Sequence, residues 1–194
     1  MERPTTVELV LTAVLSAING AIFMVWSNFV WDYLKLFTGL LFLPIVYGVW
    51  YIGATVPAYI VRKPGIALLG EFLAAVAELA YGSHYLTAPL YGFMQGLMSE
   101  IVFAATRYKR WDWATMAAAG AAPSVWAAAA DTILYGIVEP LTPPQRIVFW
   151  SLYFVSGALI AGVLVKAVID WVASTGILDS FAVGREARLA HSRG

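Results

Sequence analysis

Six stretches of this 194-residue chain are nearly free of charged side chains, and no other feature constrains its fold as strongly. They are residues 9–31, 36–61, 65–85, 86–106, 113–138 and 147–169. A helix needs about 20 residues to cross the roughly 30 Å of hydrocarbon in a bilayer, so each stretch is long enough to span it. We therefore predict an all-α membrane protein with six transmembrane helices. An even number of crossings places both termini on one side.

The composition agrees with a membrane location and excludes several kinds of chemistry. The chain is 61% hydrophobic and 12% charged, with a mean hydropathy of +0.76. It has no cysteine, which excludes disulfides and thiolate catalysis. Two histidines cannot build a multi-histidine metal site, and no nucleotide-binding motif is present. We predict one transmembrane domain over residues 1–194 with a short cytoplasmic tail at 174–194, without a cofactor or a nucleic-acid partner.

The basic residues predict the orientation of the chain in the membrane. With both termini cytoplasmic, ten of the twelve Lys and Arg residues lie at or near the inner side. They are Arg3, Arg62, Lys63, Arg107, Lys109, Arg110, Lys166, Arg185, Arg188 and Arg193. Only Lys35 and Arg146 then face outward. The positive-inside rule therefore predicts a multi-pass protein of the cell membrane with both termini in the cytoplasm.

Four acidic residues interrupt the apolar stretches: Glu71, Glu78, Glu100 and Asp131. A carboxylate at the bilayer centre is unfavourable by about 2.5–3.5 kcal/mol, so such residues usually face the interior of a helix bundle and mark a site or a pathway. Almost no basic residue lies at the same depth. A cationic ligand is therefore a natural partner for these carboxylates.

Polar residues from three predicted helices are expected to converge in the outer half of the bundle: Glu78, Gln95, Asp131 and Tyr135, with Glu71 about two turns deeper. Glu71 and Glu78 are seven residues apart and share one helix face, and Asp131 and Tyr135 are four apart and share another. Gln95 lies in the middle of the helix between them. We predict that these five side chains contribute to a substrate site.

Aromatic residues are plentiful at the same level, and a flat cationic ring can stack between them. The candidates are Tyr47, Trp50 and Trp126 within helices, with His84 and Tyr85 in a loop. Two alternatives stay open. Glu71 and Glu100 can serve structure, bonded to backbone or hydroxyl groups, and His84 can be an ordinary interfacial loop residue.

Small residues on the first predicted helix form a second candidate surface. Ala13, Ala17 and Ala21 recur every four residues, which lets another helix approach closely in lipid. The approaching helix can belong to the same chain or to a partner membrane protein.

Seven short motifs, together with Glu71 and Glu78, resemble the YkoE family along nearly the whole chain. They are Pro44-x-x-Tyr47-Gly48-x-Trp50, Arg62-Lys63-Pro64-Gly65, Gln95-Gly96-x-x-x-Glu100, Ala105-Thr106-Arg107, Ser156-Gly157-Ala158, Thr175-Gly176-x-Leu178 and Gly184-Arg185-Glu186. Members of that family are substrate-binding S components of energy-coupling factor (ECF) transporters. The resemblance implies a six-helix S-component bundle that binds thiamine or its hydroxymethylpyrimidine precursor from outside.

The resemblance also implies the partners: a transmembrane coupling subunit similar to EcfT and two ATPase subunits. It implies that Ala13, Ala17 and Ala21 form the coupling face. In the mechanism we hypothesise, residues 27–35 and 82–87 form loops that close over the ligand. The alternative function is a stand-alone proton-coupled transporter of a small cationic or aromatic solute. An enzyme is not expected, since no Cys nucleophile, metal-ligand cluster or G-x-S-x-G motif is present.

Overall fold

Residues 2–191 are described by a computed structural model, as are their side chains except those of Asp32, Ala190 and His191. This part of the chain is helical, without a β-strand. Its α-helices are α1 Thr6–Val25, α2 Trp31–Phe42, α3 Ile52–Val61, α4 Ile66–Ala80, α5 Ala88–Ala105, α6 Trp113–Ala121, α7 Ser124–Tyr135, α8 Pro143–Ser156, α9 Val165–Ser174 and α10 Ala182–His191. Two π-helical segments, Trp26–Val30 and Gly157–Leu164, and one 3-10 helix, Leu43–Tyr51, join some of them end to end.

The run from α1 to α3 is divided at Gly39, and α6 and α7 are interrupted only at Ala122 and Pro123. Counted in this way, the helices form six rods that correspond to the six apolar stretches, followed by α10. Within the described residues, three continuous helical runs are long and apolar enough to cross a membrane. They are Thr6–Val30, Tyr33–Val61 and Pro143–Ser174. The number of crossings and the side of the termini stay predictions.

The first connection differs from our expectation. We predicted a loop at residues 27–35, but the chain is helical there and changes direction at Gly39, whose φ is +65°. The segment 27–38 contains neither Gly nor Pro, so nothing in it breaks a helix. Asp32 and Lys35 end an apolar stretch, and we predicted the end of a helix there. The helix continues through both positions.

Helix starts follow local capping rules. The Thr5 hydroxyl accepts a hydrogen bond from the Glu8 N–H, and the Glu8 carboxylate accepts one from the Thr5 N–H. Asp112 accepts the N–H of Thr115 at 2.8 Å and so caps α6. Proline acts differently at different places: Pro123 separates α6 from α7, while α3 continues through Pro57.

Helix α4 lies at the centre of the bundle, between α1 and α5. Glycines allow α1 and α5 to approach α4 closely. A Cβ atom at Gly20 of α1 would lie only 2.6 Å from the Cβ of Ala77, and one at Gly92 of α5 only 2.4 Å from the Cβ of Ala75. The Ser16 hydroxyl donates to the Gly70 carbonyl across the first of these contacts. Close packing of this kind is the usual basis of helix association in lipid.

The alanine stripe lies about 100° around α1 from the face that packs on α4. Ala13 and Ala21 are exposed and Ala17 is half-buried, whereas Thr12, Ser16 and Gly20 are buried against the rest of the bundle. The stripe is therefore not used for packing inside the described part of this chain.

Glu100 has a structural role, which was one of the two alternatives for it. Its carboxylate accepts hydrogen bonds from the backbone N–H groups of Gly65, Ala67 and Leu68 at 2.6, 3.0 and 3.3 Å. The Tyr108 hydroxyl donates to the same carboxylate at 2.6 Å. Glu100 thus satisfies free N–H groups at the start of α4 and ties α5 to it.

The predicted tail contains a helix. Helix α10 packs against α3 and α9, and a Cβ atom at Gly184 would lie 2.0 Å from the Leu178 carbonyl oxygen. The exposed Glu186 carboxylate forms an ion pair with Arg62. Arg193, counted above among the inner bases, lies outside the described residues.

Candidate functional site

A cavity of about 230 Å³ opens at the end of the bundle where α4 and α7 finish and α5 begins. Its lining comes from α1, the first π-helical segment, the 3-10 helix and helices α2, α4, α5 and α7. The residues are Phe23, Ser27, Trp31, Tyr47, Trp50, Glu71, Ala75, Glu78, Tyr85, Thr87, Ala88, Tyr91, Gly92, Gln95, Asp131, Tyr135 and Ile137. Three of them are acidic and none is Lys, Arg or His, so the described lining favours a positive charge.

Glu78 is held by hydroxyl groups on one side of its carboxylate. Ser27 donates to Oε1 at 2.5 Å and Ser83 donates to the same oxygen at 3.1 Å. The indole N–H of Trp50 donates to the Ser27 hydroxyl at 3.1 Å, which fixes the Trp50 ring beside the acid. Because both bonds end on Oε1, the carboxylate has a defined orientation, and Oε2 can still accept a bond from a ligand.

Asp131 is held by tyrosines. The Tyr91 hydroxyl donates to Oδ1 and the Tyr153 hydroxyl to Oδ2, both at 2.6 Å. The residue is 6% exposed. Short hydrogen bonds to a carboxylate are among the stronger ones, so Asp131 fixes the position of Tyr91 in the cavity wall while keeping its own side chain in place.

Glu71 is the most enclosed of the three acids, at 1% exposed. Its Oε2 atom is buried without a hydrogen-bond partner among the described residues. It packs against Gly53, where a Cβ atom would lie 2.8 Å from that oxygen. A buried carboxylate oxygen without a partner is unfavourable, so we expect Oε2 to gain a hydrogen-bond partner when the site is filled.

Three aromatic rings form one wall of the cavity. The Trp31 ring lies 5.5 Å from Tyr47 and 4.8 Å from Trp50, in both cases edge to face. Tyr47 and Trp50 are themselves 4.8 Å apart. These contacts order the rings and present apolar surface to a flat ligand.

Hydrogen bonds between elements order the rim of the cavity. The Asn28 side chain donates to the Gly82 carbonyl at 3.0 Å and pairs with His84 Nδ1 at 2.8 Å. Thr87 and Tyr135 share a hydrogen bond of 2.7 Å. The first π-helical segment, the loop after α4 and the end of α7 are therefore tied together at the mouth.

Of the ten side chains proposed from sequence as substrate contacts, eight line this cavity. They are Tyr47, Trp50, Glu71, Glu78, Tyr85, Gln95, Asp131 and Tyr135. Trp126 and His84 are not in the lining: the indole N–H of Trp126 is buried without a partner among the described residues, and His84 is an exposed rim residue.

Sequence reasoning missed Ser27 and Trp31 as cavity residues, because it assigned them to a loop. It also did not include the α5 residue Tyr91 among the substrate contacts. One signal was available, since Tyr91 lies four residues before Gln95 and therefore shares its helix face.

Known proteins match this fold and sequence over nearly the full length. A solved structure described as the crystal structure of an S-component of an ECF transporter superposes with a TM-score of 0.91 at 32% identity, over 98% of this chain and 96% of that one. The fold is therefore that of an ECF S component.

Sequence relatives define the family more closely. YkoE of Bacillus subtilis (strain 168), named provisionally as an HMP/thiamine permease, is 33% identical over 189 residues, which cover 96% of this chain and 93% of that protein. A family model described as the permease component of an ABC-type cobalt transport system matches residues 7–126. The chain belongs to the YkoE family. It is a multi-pass cell-membrane transport component and not an enzyme.

Proposed function

We propose that this chain captures thiamine or its hydroxymethylpyrimidine precursor from outside the cell and delivers it to an ATP-driven ECF importer. One observation carries the proposal: Glu71, Glu78 and Asp131 line an aromatic cavity whose described lining has no basic side chain. A buried site of this charge favours a cation, and its rings favour a flat one.

Thiamine has the chemistry that this cavity can bind. Its cationic ring can stack against Trp50 or Tyr47 while the free oxygen of Glu78 faces the positive charge. Its aminopyrimidine presents donors and acceptors in one plane, which the amide of Gln95 can match. Hydroxymethylpyrimidine keeps the second feature and lacks the cationic ring, so the two ligands test the two halves of the site separately.

The cobalt transport family matched above raises a different ligand, and the side chains argue against it. Cobalt sites in proteins are built from several nitrogen, oxygen or sulfur ligands around one point. Within the described residues, no three His, Cys, Asp or Glu side chains form a group that can hold a metal ion. The three acids of the cavity share its lining with aromatic rings, which suits an organic ring better.

The partner subunits would dock on the alanine stripe of α1. Ala13 and Ala21 are exposed and Ala17 is half-buried, so a helix of the coupling subunit can approach the backbone there. ATP hydrolysis in the partner ATPases would then reorient the whole subunit in the membrane and release the ligand inside.

A stand-alone proton-coupled transporter is the second candidate function, and the unpaired Oε2 atom of Glu71 is the observation that favours it. A buried carboxyl of this kind can carry a proton across the membrane. Uptake that follows the proton gradient without partner subunits would support this function. Uptake that requires ATP and those subunits would support the ECF importer.

Tryptophan fluorescence tests the ligand directly, because Trp31 and Trp50 line the cavity. The purified chain in detergent is titrated with thiamine, hydroxymethylpyrimidine and riboflavin, with correction for absorbed light. Saturable quenching by thiamine, with riboflavin inert, is the expected result. Absence of a response to thiamine and to hydroxymethylpyrimidine would contradict the proposed ligands while leaving the S-component fold unaffected.

A further inference from the structure

A second cavity, of about 600 Å³, lies at the opposite end of the bundle. It is bordered by the end of α3, the residues just before α6, the end of α9 and the inner side of α10. Four basic side chains line it, Arg62, Lys109, Arg110 and Lys166, together with three acidic ones, Asp112, Asp170 and Glu186. Arg110 is paired with Asp112 at 3.0 Å. We call it the basic groove, and nothing in the transport cycle described above uses it.

Aromatic rings hold two of these cations in place. The Lys166 ammonium lies 4.7 Å from the centre of the Tyr59 ring and 4.9 Å from that of Trp113. The Arg62 guanidinium lies 4.8 Å from Tyr59 and 5.6 Å from Trp111. Contacts of this kind stabilise a cation without neutralising it, so both charges stay available to an anion.

Each held cation is capped by an acid that is far more exposed than the cation itself. Lys166 bonds to Asp170 at 2.9 Å, with side-chain exposures of 11% and 40%. Arg62 pairs with Glu186 of α10, with exposures of 13% and 67%. Glu186 can turn into water at little cost, whereas Arg62 cannot leave its aromatic surroundings. Asp170 stays in place, because it also accepts a hydrogen bond from the Tyr59 hydroxyl at 2.6 Å. The groove is thus an anion site at Arg62, covered by one displaceable carboxylate.

The position of the groove indicates the source of the anion. Trp113 lines it and is 50% exposed, as expected of a tryptophan at the boundary between lipid and water. Basic pockets between transmembrane helices at such a boundary bind the headgroups of anionic lipids. We propose that the basic groove binds the phosphate of an anionic phospholipid, which displaces Glu186 from Arg62 and lies beside the Lys166 ammonium.

Native mass spectrometry of the full chain in detergent can test this by counting bound phosphatidylglycerol and phosphatidylcholine. The wild type should retain phosphatidylglycerol in preference to phosphatidylcholine. Lys166→Met, which keeps the apolar stem, should weaken phosphatidylglycerol binding about tenfold, as expected for loss of one charge-assisted bond. Lys35→Met, at an exposed position of α2 away from the groove, should leave it unchanged.

Glu186→Gln separates lipid binding from a merely structural ion pair. Because Glu186 competes with the phosphate, its replacement should tighten phosphatidylglycerol binding by about threefold or more. Weaker binding in this variant, or equal binding of the two lipids by the wild type, would overturn the proposal. Displacement of the lipid by inorganic phosphate at millimolar concentration would also overturn it.

A further contrary result would come from the assembled transporter. If Lys166→Met released the coupling and ATPase subunits without changing lipid binding, the groove would be a subunit contact and not a lipid site.

Discussion

At the level of single residues, two acids of the ligand cavity are supported in different ways. Asp131 has each oxygen bonded to a tyrosine, whereas the hydroxyls of Ser27 and Ser83 both bond to Oε1 of Glu78. A ligand that meets Asp131 has to share an oxygen that already accepts a bond. We therefore expect Glu78 to supply the direct charged contact and Asp131 to position the tyrosines around it.

Glu78→Gln should weaken thiamine binding by about 1–3 kcal/mol, the usual loss when a charged hydrogen bond becomes neutral. Isothermal titration of the purified variant gives this value directly. Hydroxymethylpyrimidine, which lacks the cationic ring, should lose less affinity than thiamine. Glu139→Gln is the matched control, because Glu139 is exposed and does not line the cavity. If thiamine affinity is unchanged by Glu78→Gln, Glu78 is not in the site.

Glu100 should behave in the opposite way, because its bonds go to the start of α4 and to Tyr108. Glu100→Gln should lower the free energy of unfolding by about 2 kcal/mol, because an amide replaces a charged acceptor of several hydrogen bonds. Thermal unfolding in detergent measures the loss. Thiamine affinity, measured below the melting temperature, should match that of the wild type, and a weaker affinity would show that Glu100 contributes to the ligand site as well.

Helical periodicity explains which side chains of α7 could be placed from sequence. Asp131 and Tyr135 are four residues apart, about 40° around a helix, so one face presents both to the cavity. Trp126 is five residues before Asp131, about 140° away, and is not in the cavity lining. Its ring packs edge to face on Tyr91, with centroids 6.3 Å apart, so Trp126 lies behind the cavity wall. His84 lies in a loop, where periodicity predicts no direction.

At the level of elements, the irregular helical segments were the part that sequence could not predict. The 3-10 helix Leu43–Tyr51 and the π-helical segment Trp26–Val30 carry Tyr47, Trp50 and Ser27 to the cavity wall. Hydropathy identified the apolar stretches that contain them, because burial in lipid controls composition. Whether a segment is α-, 3-10 or π-helical depends on packing and on single positions such as Gly39. Composition alone therefore predicted neither the irregular segments nor the helix at 27–35.

The exposed stripe of α1 leads to a prediction that separates binding from transport. Ala17→Leu adds three carbon atoms between Ala13 and Ala21 and should prevent a close approach by a partner helix. Thiamine uptake by cells that carry the coupling and ATPase subunits should fall at least tenfold. Thiamine binding by the purified variant should be unchanged, since none of the three alanines lines the cavity.

A matched substitution controls for a general effect of a larger side chain in lipid. Ala118 is exposed on α6, so Ala118→Leu should keep both binding and uptake. Normal uptake by Ala17→Leu would exclude the stripe as the docking surface. Loss of uptake by both variants would mean that the effect is not specific to α1.

At the level of the whole molecule, the two ends of the bundle have opposite chemistry. One end holds the acidic cavity and the other holds the basic groove, and α3 runs between them. This polarity matches the distribution of basic residues along the sequence, which the positive-inside rule links to the cytoplasm. An importer needs its ligand cavity to open to the outside of the cell. The proposed uptake therefore requires the orientation in which the basic groove faces the cytoplasm.

Cysteine labelling can determine this orientation, because the chain has no cysteine of its own. His84→Cys places a thiol at the rim of the cavity, and Lys109→Cys and Ser180→Cys place one near the basic groove, all at exposed positions. With six crossings, a membrane-impermeant maleimide should label the first variant in intact cells and the other two only after permeabilisation. The reverse pattern would place the cavity in the cytoplasm and contradict uptake from outside. Labelling of Lys109→Cys and Ser180→Cys from different sides would instead show an odd number of crossings between them, and the termini would then face opposite sides of the membrane.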